Sequence, residues 1–472
     1  MARSVSIFPQ RTKSSIWAGV LQVPQGISSS VAPTLLSATI DRFPHGERPW
    51  EWDRETDMID NHWIKDLITK SKAATQKEAK EHDNPLEADL ISKVIDKSIA
   101  LRLSKPEIPL GRLLAAGFDL IVSADYYASA GHKGWFYCPG PAPRLYFHFT
   151  NCCPRHALGN VFHFHASSKP ESGSIGKSTS RLLRAFLNTL LVKRDREERV
   201  LKGTEPVDVV VINEATKHVL FGEIKASPLL TLPLAMDAQV MGTDHEASLT
   251  MTEVFSRLMR LFVPEKKSSG WTERFFDFGS RASADDKHWG YRSMIALLDN
   301  PAFLPAYYAF WDAALAAYHP KHTEAVYWLT NGCGAPNPRP DWWPKSKGGD
   351  GGGFESISDS KTSVGMDRTD DIKKGIYQVL KLGSEGKPVS SEWNFKVGIV
   401  SNIHAARHFE EYLKSLRNLV WTHDLTGAAT KAGDLKQEHP LYNLFDGIVA
   451  LTECHFRDTW LKQVFDLDAP AS

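Results

Sequence analysis

Asp208, Glu223 and Lys225 are the residues of this 472-residue chain whose types and spacing best support chemistry together. Two acidic oxygens, a backbone carbonyl and waters make the hard-oxygen shell that Mg²⁺ prefers. A divalent ion held there acidifies a bound water and neutralises charge developing on a phosphate. An ammonium beside the same water can orient it and counter the phosphate's charge.

The elements that must position these groups lie in residues 205–227. The run 207–212 is β-branched, bounded by Pro206 and Asn213, and too short for a stable helix, so it reads as a strand. Residues 218–226 read as a second strand, with the polar stretch 213–217 as the turn. If Asn213 faces His218 across a four-residue loop, Asp208 falls opposite Glu223. Directly paired residues share a face, with Cβ atoms about 5 Å apart. Side chains alternate along a strand, so Glu223 and Lys225 share that face while Ile224 points to the core.

Asp208 followed by Glu223-Ile224-Lys225, on two apolar strands, resembles the signature of the PD-(D/E)xK nucleases, which include most type II restriction endonucleases. The match departs from the family name in one place, because Val207 separates Pro206 from Asp208; the proline is not a ligand. The resemblance implies an α/β fold, a mixed sheet flanked by helices with a restriction-endonuclease-like core. To that core this chain adds an N-terminal helical region and a large insertion. It further implies Mg²⁺-dependent hydrolysis of double-stranded DNA at a specific sequence, leaving 5′-phosphate ends. In that reading Asp208 and Glu223 hold the metal, Ile224 lends its carbonyl, and Lys225 positions the attacking water. Palindromic sites make a homodimer the default. Two other classes remain open: a structure- or damage-directed repair nuclease, and a nucleic-acid-binding protein on the same fold without turnover.

Composition sets the bounds. Length allows two to four domains, and 42% apolar with 24% charged residues is ordinary for a soluble globular protein. Lysine plus arginine number 56, as do aspartate plus glutamate, giving a net charge of zero. That argues against a non-specific polyanion binder but leaves room for a local basic face. Five irregularly spaced cysteines point to a reducing cytoplasm. There is no apolar run of membrane length and no signal-peptide pattern, so no membrane association is expected.

Along the chain, 1–130 reads as a helical region that packs on the core or forms a dimer interface, with an amphipathic helix at 86–103 and an apolar segment at 110–122. Segment 131–170 is rich in Cys and His. Cys153 and His156 have the C-x₂-H spacing of zinc knuckles and Cys138 can supply a third ligand, with His163 or His165 completing a structural Zn²⁺ site. The preferred alternative is strands at 146–149 and 161–165 in which the histidines occupy one face. The nuclease core is assigned to 171–264. It opens with a helix over 174–191 whose Lys177, Arg181 and Arg184 are candidate DNA contacts, and Glu171 precedes it as a candidate extra acid. Gly176-Lys177-Ser178 is not a phosphate-binding loop, because the required first glycine is Glu171; no nucleotide cofactor follows.

Residues 246–261 read as a helix. The insertion 265–368 is assigned to DNA recognition and contains a strand at 325–329. Asp359 and Lys361, preceded by Glu355, form a rival D-x-K. A second reading places Asp359, Lys361 and Arg368 on the DNA-facing side of the same domain. The remainder, 369–472, supplies a late core helix from Thr369 to Leu382, a strand at 395–403, a helix from His404 through Leu419 and a strand at 441–451. The histidines of this last part are read as structural.

Overall fold

The computed structural model describes residues 62–130, 134–140, 142–163, 168–238, 246–247, 257–283, 285–319, 325–333, 364–367, 369–387, 392–423, 430 and 432–467. The architecture is mixed α/β. The helices are α1 (His62–Glu81), α2 (Pro85–Ser104), α3 (Leu110–Tyr127), α4 (Pro154–Leu158), α5 (Ser172–Lys193), α6 (Trp289–Leu297), α7 (Phe303–Tyr318), α8 (Thr369–Gly386) and α9 (Thr459–Phe465). Among the described residues, no helix is long and apolar enough to cross a membrane. Ser415–Leu444 falls in a separate, smaller unit, whose described part includes the antiparallel pair β13 (Val420–Trp421) and β14 (Tyr442–Asn443).

The sheet that carries the acidic residues is six-stranded. It consists of β3 (Arg199–Lys202), β4 (Val209–Asn213), β5 (His218–Ile224), β12 (Asn394–Ser401), β15 (Gly447–Ala450) and β16 (His455–Phe456), and runs in the order β16-β15-β12-β5-β4-β3. β3, β4 and β5 form an antiparallel meander, whereas β5, β12 and β15 run parallel. The β4–β5 register pairs Asn213 with His218 and Val209 with Gly222, as the four-residue loop requires. The turn is local chemistry: Asn213 Oδ1 accepts the Thr216 amide at 3.0 Å, and Lys217 takes a positive φ of 54°. Gly222 is needed because a Cβ there would meet Val209 Cγ1 at 3.0 Å and the Gly398 carbonyl at 3.2 Å.

Alternation gives this sheet two different faces. Val209, Val211, Leu220 and Ile224 join the main core, which also contains Leu182, Phe186 and Leu190 of α5. Phe221, on the opposite face, packs against Trp63 of α1 and Phe395 at ring distances of 5.8 and 5.4 Å. Helix α8 packs on β12 and β5. The same core extends through α2, α3 and a second, antiparallel sheet made of β1 (Trp135–Cys138), β2 (Arg144–Phe147), β6 (Leu234–Asp237), β7 (Glu246–Ala247), β8 (Met259–Phe262) and β11 (Phe275–Gly279). A small hairpin, β9 (Glu265–Lys267) with β10 (Gly270–Thr272), lies between the last two in sequence. Helix α3 is apolar nearly all round and correspondingly buried, as a helix inside a core must be.

Four local expectations are corrected. Residues 246–261 are not a helix: Glu246–Ala247 and Met259–Phe262 are strands, with 248–256 outside the described residues. There Arg260 reaches across to Asp237 of β6 while Leu261 is fully buried, a two-residue alternation. Ala325–Leu329 is a 3₁₀ turn with all five side chains buried; a short, uniformly apolar run carries no period to tell a turn from a strand. The helix expected from His404 is instead a turn, a wide π-type turn at Phe409–Leu413 and a 3₁₀ turn at Leu416–Asn418. The Asp367 carboxylate accepts the amides of Arg407 and His408 at 3.0 Å, which ties that stretch to a remote segment. The strand 441–451 is broken because Asp446 accepts the Val397 amide and Lys387 with its side chain, leaving Tyr442–Asn443 and Gly447–Ala450 as separate strands. Near the cysteines, 161–163 is irregular and 164–167 lies outside the described residues.

Candidate functional site

The end of the β4–β5 hairpin brings Asp208, Glu223, Ile224 and Lys225 together. The Asp208 amide, one residue before β4, donates to the Gly222 carbonyl at 3.0 Å, the same residue that faces Val209, and the Asp208 carboxylate lies close enough to Glu223 to act on its charge. Asp208 Oδ2 accepts the Ile224 amide at 3.0 Å. A strand residue's carbonyl leaves the backbone on the same side as its amide, so the Ile224 carbonyl is also turned toward Asp208. Lys225 Nζ lies 2.6 Å from Glu223 Oε1, and its amide donates to Val400 of β12 at 2.9 Å. Burial raises the pKa of Glu223 and the Asp208 charge adds to the rise, with Lys225 opposing both. Lys225 thus pairs with Glu223, while the Asp208 carboxylate, near enough to act on Glu223, engages the Ile224 amide. That is a donor set short of positive charge, and a divalent cation suits it.

A cleft of about 950 Å³ opens beside this end of the hairpin, lined by Asp208, Ile224 and Lys225 but not by Glu223. It is also lined by the start of α5, residues 172–178, whose first amides, before that of Ile175, have no helical partner and favour anions. Lys177 stands exposed there, and Lys169 and Lys202 add two further cations. Arg181 and Arg184 also line the cleft, but each is held by an acid. Arg181 pairs through both terminal nitrogens with Glu87, which also accepts the Tyr291 hydroxyl at 3.1 Å. Arg184 Nη2 contacts both Glu78 oxygens at 2.9 Å and its Nη1 reaches the Asp208 carbonyl at 3.4 Å. Burial pushes the Glu78 carboxyl upward, yet Arg184 and Lys202 together outweigh it and hold the group below its ordinary value.

Glu171 is the exposed residue before α5 and does not line the cleft. Asp359, Lys361 and Arg368 lie outside the described residues. Lys202, from the basic run 193–202 that reads in sequence as a candidate phosphate-contacting edge, lines the cleft, whereas Glu78 and Lys169 are cleft residues that sequence reasoning missed. Glu78 sits on α1, more than a hundred residues before its partner Arg184, and nothing local marks it.

Two clusters elsewhere have metal-ligating atoms close together. Cys138, Cys153 and His156 place their ligand atoms within 4.8 Å of one another and could bind a metal ion. Cys138 ends β1, Cys153 precedes α4 and His156 lies on it, so the C-x₂-H spacing is realised in one helical turn. Both thiols are buried, and burial, then the neighbouring Cys138, raises the pKa of Cys153. His163 is outside this group and stacks on His156 at 4.3 Å. His148 lies just past β2, which ends at Phe147 rather than running through 149, and is buried with a nitrogen 2.5 Å from Thr150 Oγ1. His132 and His165 lie outside the described residues.

The second cluster, His404, Glu453 and His455, also brings its ligand atoms within 4.8 Å. Burial lowers the His404 imidazole to a pKa of about 4, against the pull of Glu453. The sequence offered no signal for it, because its members come together only through the parallel pairing of β12 with β15. No protein-family model, curated protein or solved structure matches the chain.

Proposed function

We propose that the chain is a Mg²⁺-dependent endonuclease that hydrolyses phosphodiesters of double-stranded DNA at a specific sequence, leaving 5′-phosphates. The observation that carries this reading is the end of the hairpin, where the Asp208 and Glu223 carboxylates lie close together and Lys225 Nζ pairs with Glu223, beside a cleft lined by Asp208 and Lys225. The order α5, then β3-β4-β5, then α8 and parallel β12 supports a restriction-endonuclease-like core, with 228–368 as the inserted segment.

Asp208, Glu223 and the Ile224 carbonyl would hold the ion. When bound, Mg²⁺ supplies an acidified water and charge neutralisation on the phosphate. Lys225, anchored by Glu223, orients the attacking water and counters the phosphate's charge. Lys177 and the amides opening α5 hold the phosphate from the α5 wall. In-line attack then needs no covalent intermediate. A homodimer reading a palindrome is the assembly proposed. Zn²⁺ is the ion proposed for Cys138, Cys153 and His156, since thiolate and imidazole ligands suit it. That none of the five cysteines is in a disulfide supports a reducing, cytoplasmic setting.

One observation favours a second reading: Glu223 does not line the cleft and its carboxylate is already paired with Lys225. A binding protein without turnover fits that arrangement as well. Incubation with phage DNA and Mg²⁺ separates the two. Discrete fragments support the nuclease, and retained DNA binding without any cutting supports the binder.

A further inference from the structure

We infer that His404, Glu453 and His455 bind one divalent transition-metal ion, in a coordination sphere left open toward solvent. The inference is independent of the nuclease reading. Strands β12 and β15 are parallel neighbours, with Ser401 opposite Ala450, so the segments leaving their C-terminal ends stay side by side. His404 lies on one of these segments. Glu453 and His455 lie on the other, where the chain turns into β16.

The donor atoms already have the spacing of a coordination sphere. The two Nε2 atoms are 3.0 Å apart, His455 Nε2 is 3.2 Å from Glu453 Oε1, and one ligand atom from each of the three side chains lies within 4.8 Å of the others. Nitrogens about 2.1 Å from one ion lie about 3.0 to 3.4 Å apart in octahedral or tetrahedral geometry. His455 Nε2 thus faces both a second imidazole nitrogen and a carboxylate oxygen, each within the distance that ligands of one ion keep.

Two imidazoles and one carboxylate suit Zn²⁺, Fe²⁺ or Mn²⁺ better than Mg²⁺ or Ca²⁺, which take oxygen shells. The surroundings fix the rings: Phe409 stacks on His455 at 4.8 Å and 6°, and lies 4.7 Å from His404. The His404 amide donates to Thr452 Oγ1 at 2.9 Å, which holds the two segments in register. The side chains of His404 and His455 are 7% and 18% exposed and that of Glu453 is 59% exposed, so protein covers one side of the sphere and water reaches the other.

The test uses the untagged full chain, stripped with a chelator and reloaded with Zn²⁺ or Co²⁺. Metal content, competitive-chelator affinity and the Co²⁺ spectrum are read for wild type, His455→Ala, Glu453→Ala and Cys153→Ser, with circular dichroism as the folding check. Glu453 is exposed, so its truncation leaves the fold intact even if His455→Ala does not. The expected result is one metal equivalent lost in His455→Ala, with any thiolate-to-cobalt charge-transfer band kept. Glu453→Ala should bind Zn²⁺ at that site at least about tenfold more weakly. Folded variants that match wild type in both content and affinity would overturn the inference. So would a wild type whose whole metal content disappears in Cys153→Ser.

Discussion

The two walls of the cleft are charged in opposite ways and balanced to different degrees. On the hairpin side, Asp208 lines the cleft and Glu223, which does not, is paired with Lys225; burial first, then the Asp208 charge, raises the pKa of Glu223. On the α5 wall, Arg181 and Arg184 are each matched by a carboxylate, Glu87 and Glu78. The difference teaches where ligands of either sign would settle. A divalent cation gains most at the hairpin, where acids outnumber bases. A phosphate gains little from guanidiniums already engaged and more from Lys177 and the amides that open α5.

The contrast breaks most visibly at the hairpin. Asp208→Ala and Lys225→Ala should each lower Mg²⁺-dependent cleavage at least about a hundredfold while leaving DNA affinity nearly intact, as gel-shift and nicking assays would show. On the α5 wall the largest effect should be on folding. Arg184→Ala leaves Glu78 with Lys202 alone at 3.1 Å, and should cost about 2 kcal/mol in urea denaturation. Lys177→Ala should spare stability and weaken DNA binding across all sequences, reducing the salt slope by about 1. If Arg181→Ala instead changed that slope more than Lys177→Ala, the arginines would be the phosphate contacts and the contrast would fail. The smallest effect belongs to Gly176→Ala. A Cβ there meets nothing within 4 Å, so the variant should gain about 0.5–1 kcal/mol in the same denaturation assay from helix propensity.

These two walls also separate what the sequence makes legible from what it hides. The hairpin is set by residues close in the chain: a β-branched run, Asn213 at the turn, and a two-residue alternation that assigns Glu223, Ile224 and Lys225 to their faces. Its register could therefore be worked out from spacing alone. Arg181 and Arg184 read as free basic groups in sequence, because their partners lie 94 and 106 residues away on α2 and α1. The cluster at His404 was invisible for the same reason. Its ligands share a corner only because two parallel strands end there. Helix α5 was readable from its leucine stripe, whereas residues 404–408 were misread as helix: the amides of Arg407 and His408 donate to Asp367, a remote carboxylate, and the first helical turn comes only at Phe409–Leu413.

The most direct test is a plasmid-cleavage series with purified wild type and Asp208→Ala, with Mg²⁺ and then with EDTA. The account predicts discrete, 5′-phosphorylated fragments from wild type with Mg²⁺, none with EDTA, and none from the variant although it still binds the plasmid. Equal cleavage by both proteins, or DNA binding by wild type without cutting at any Mg²⁺ concentration, would contradict it.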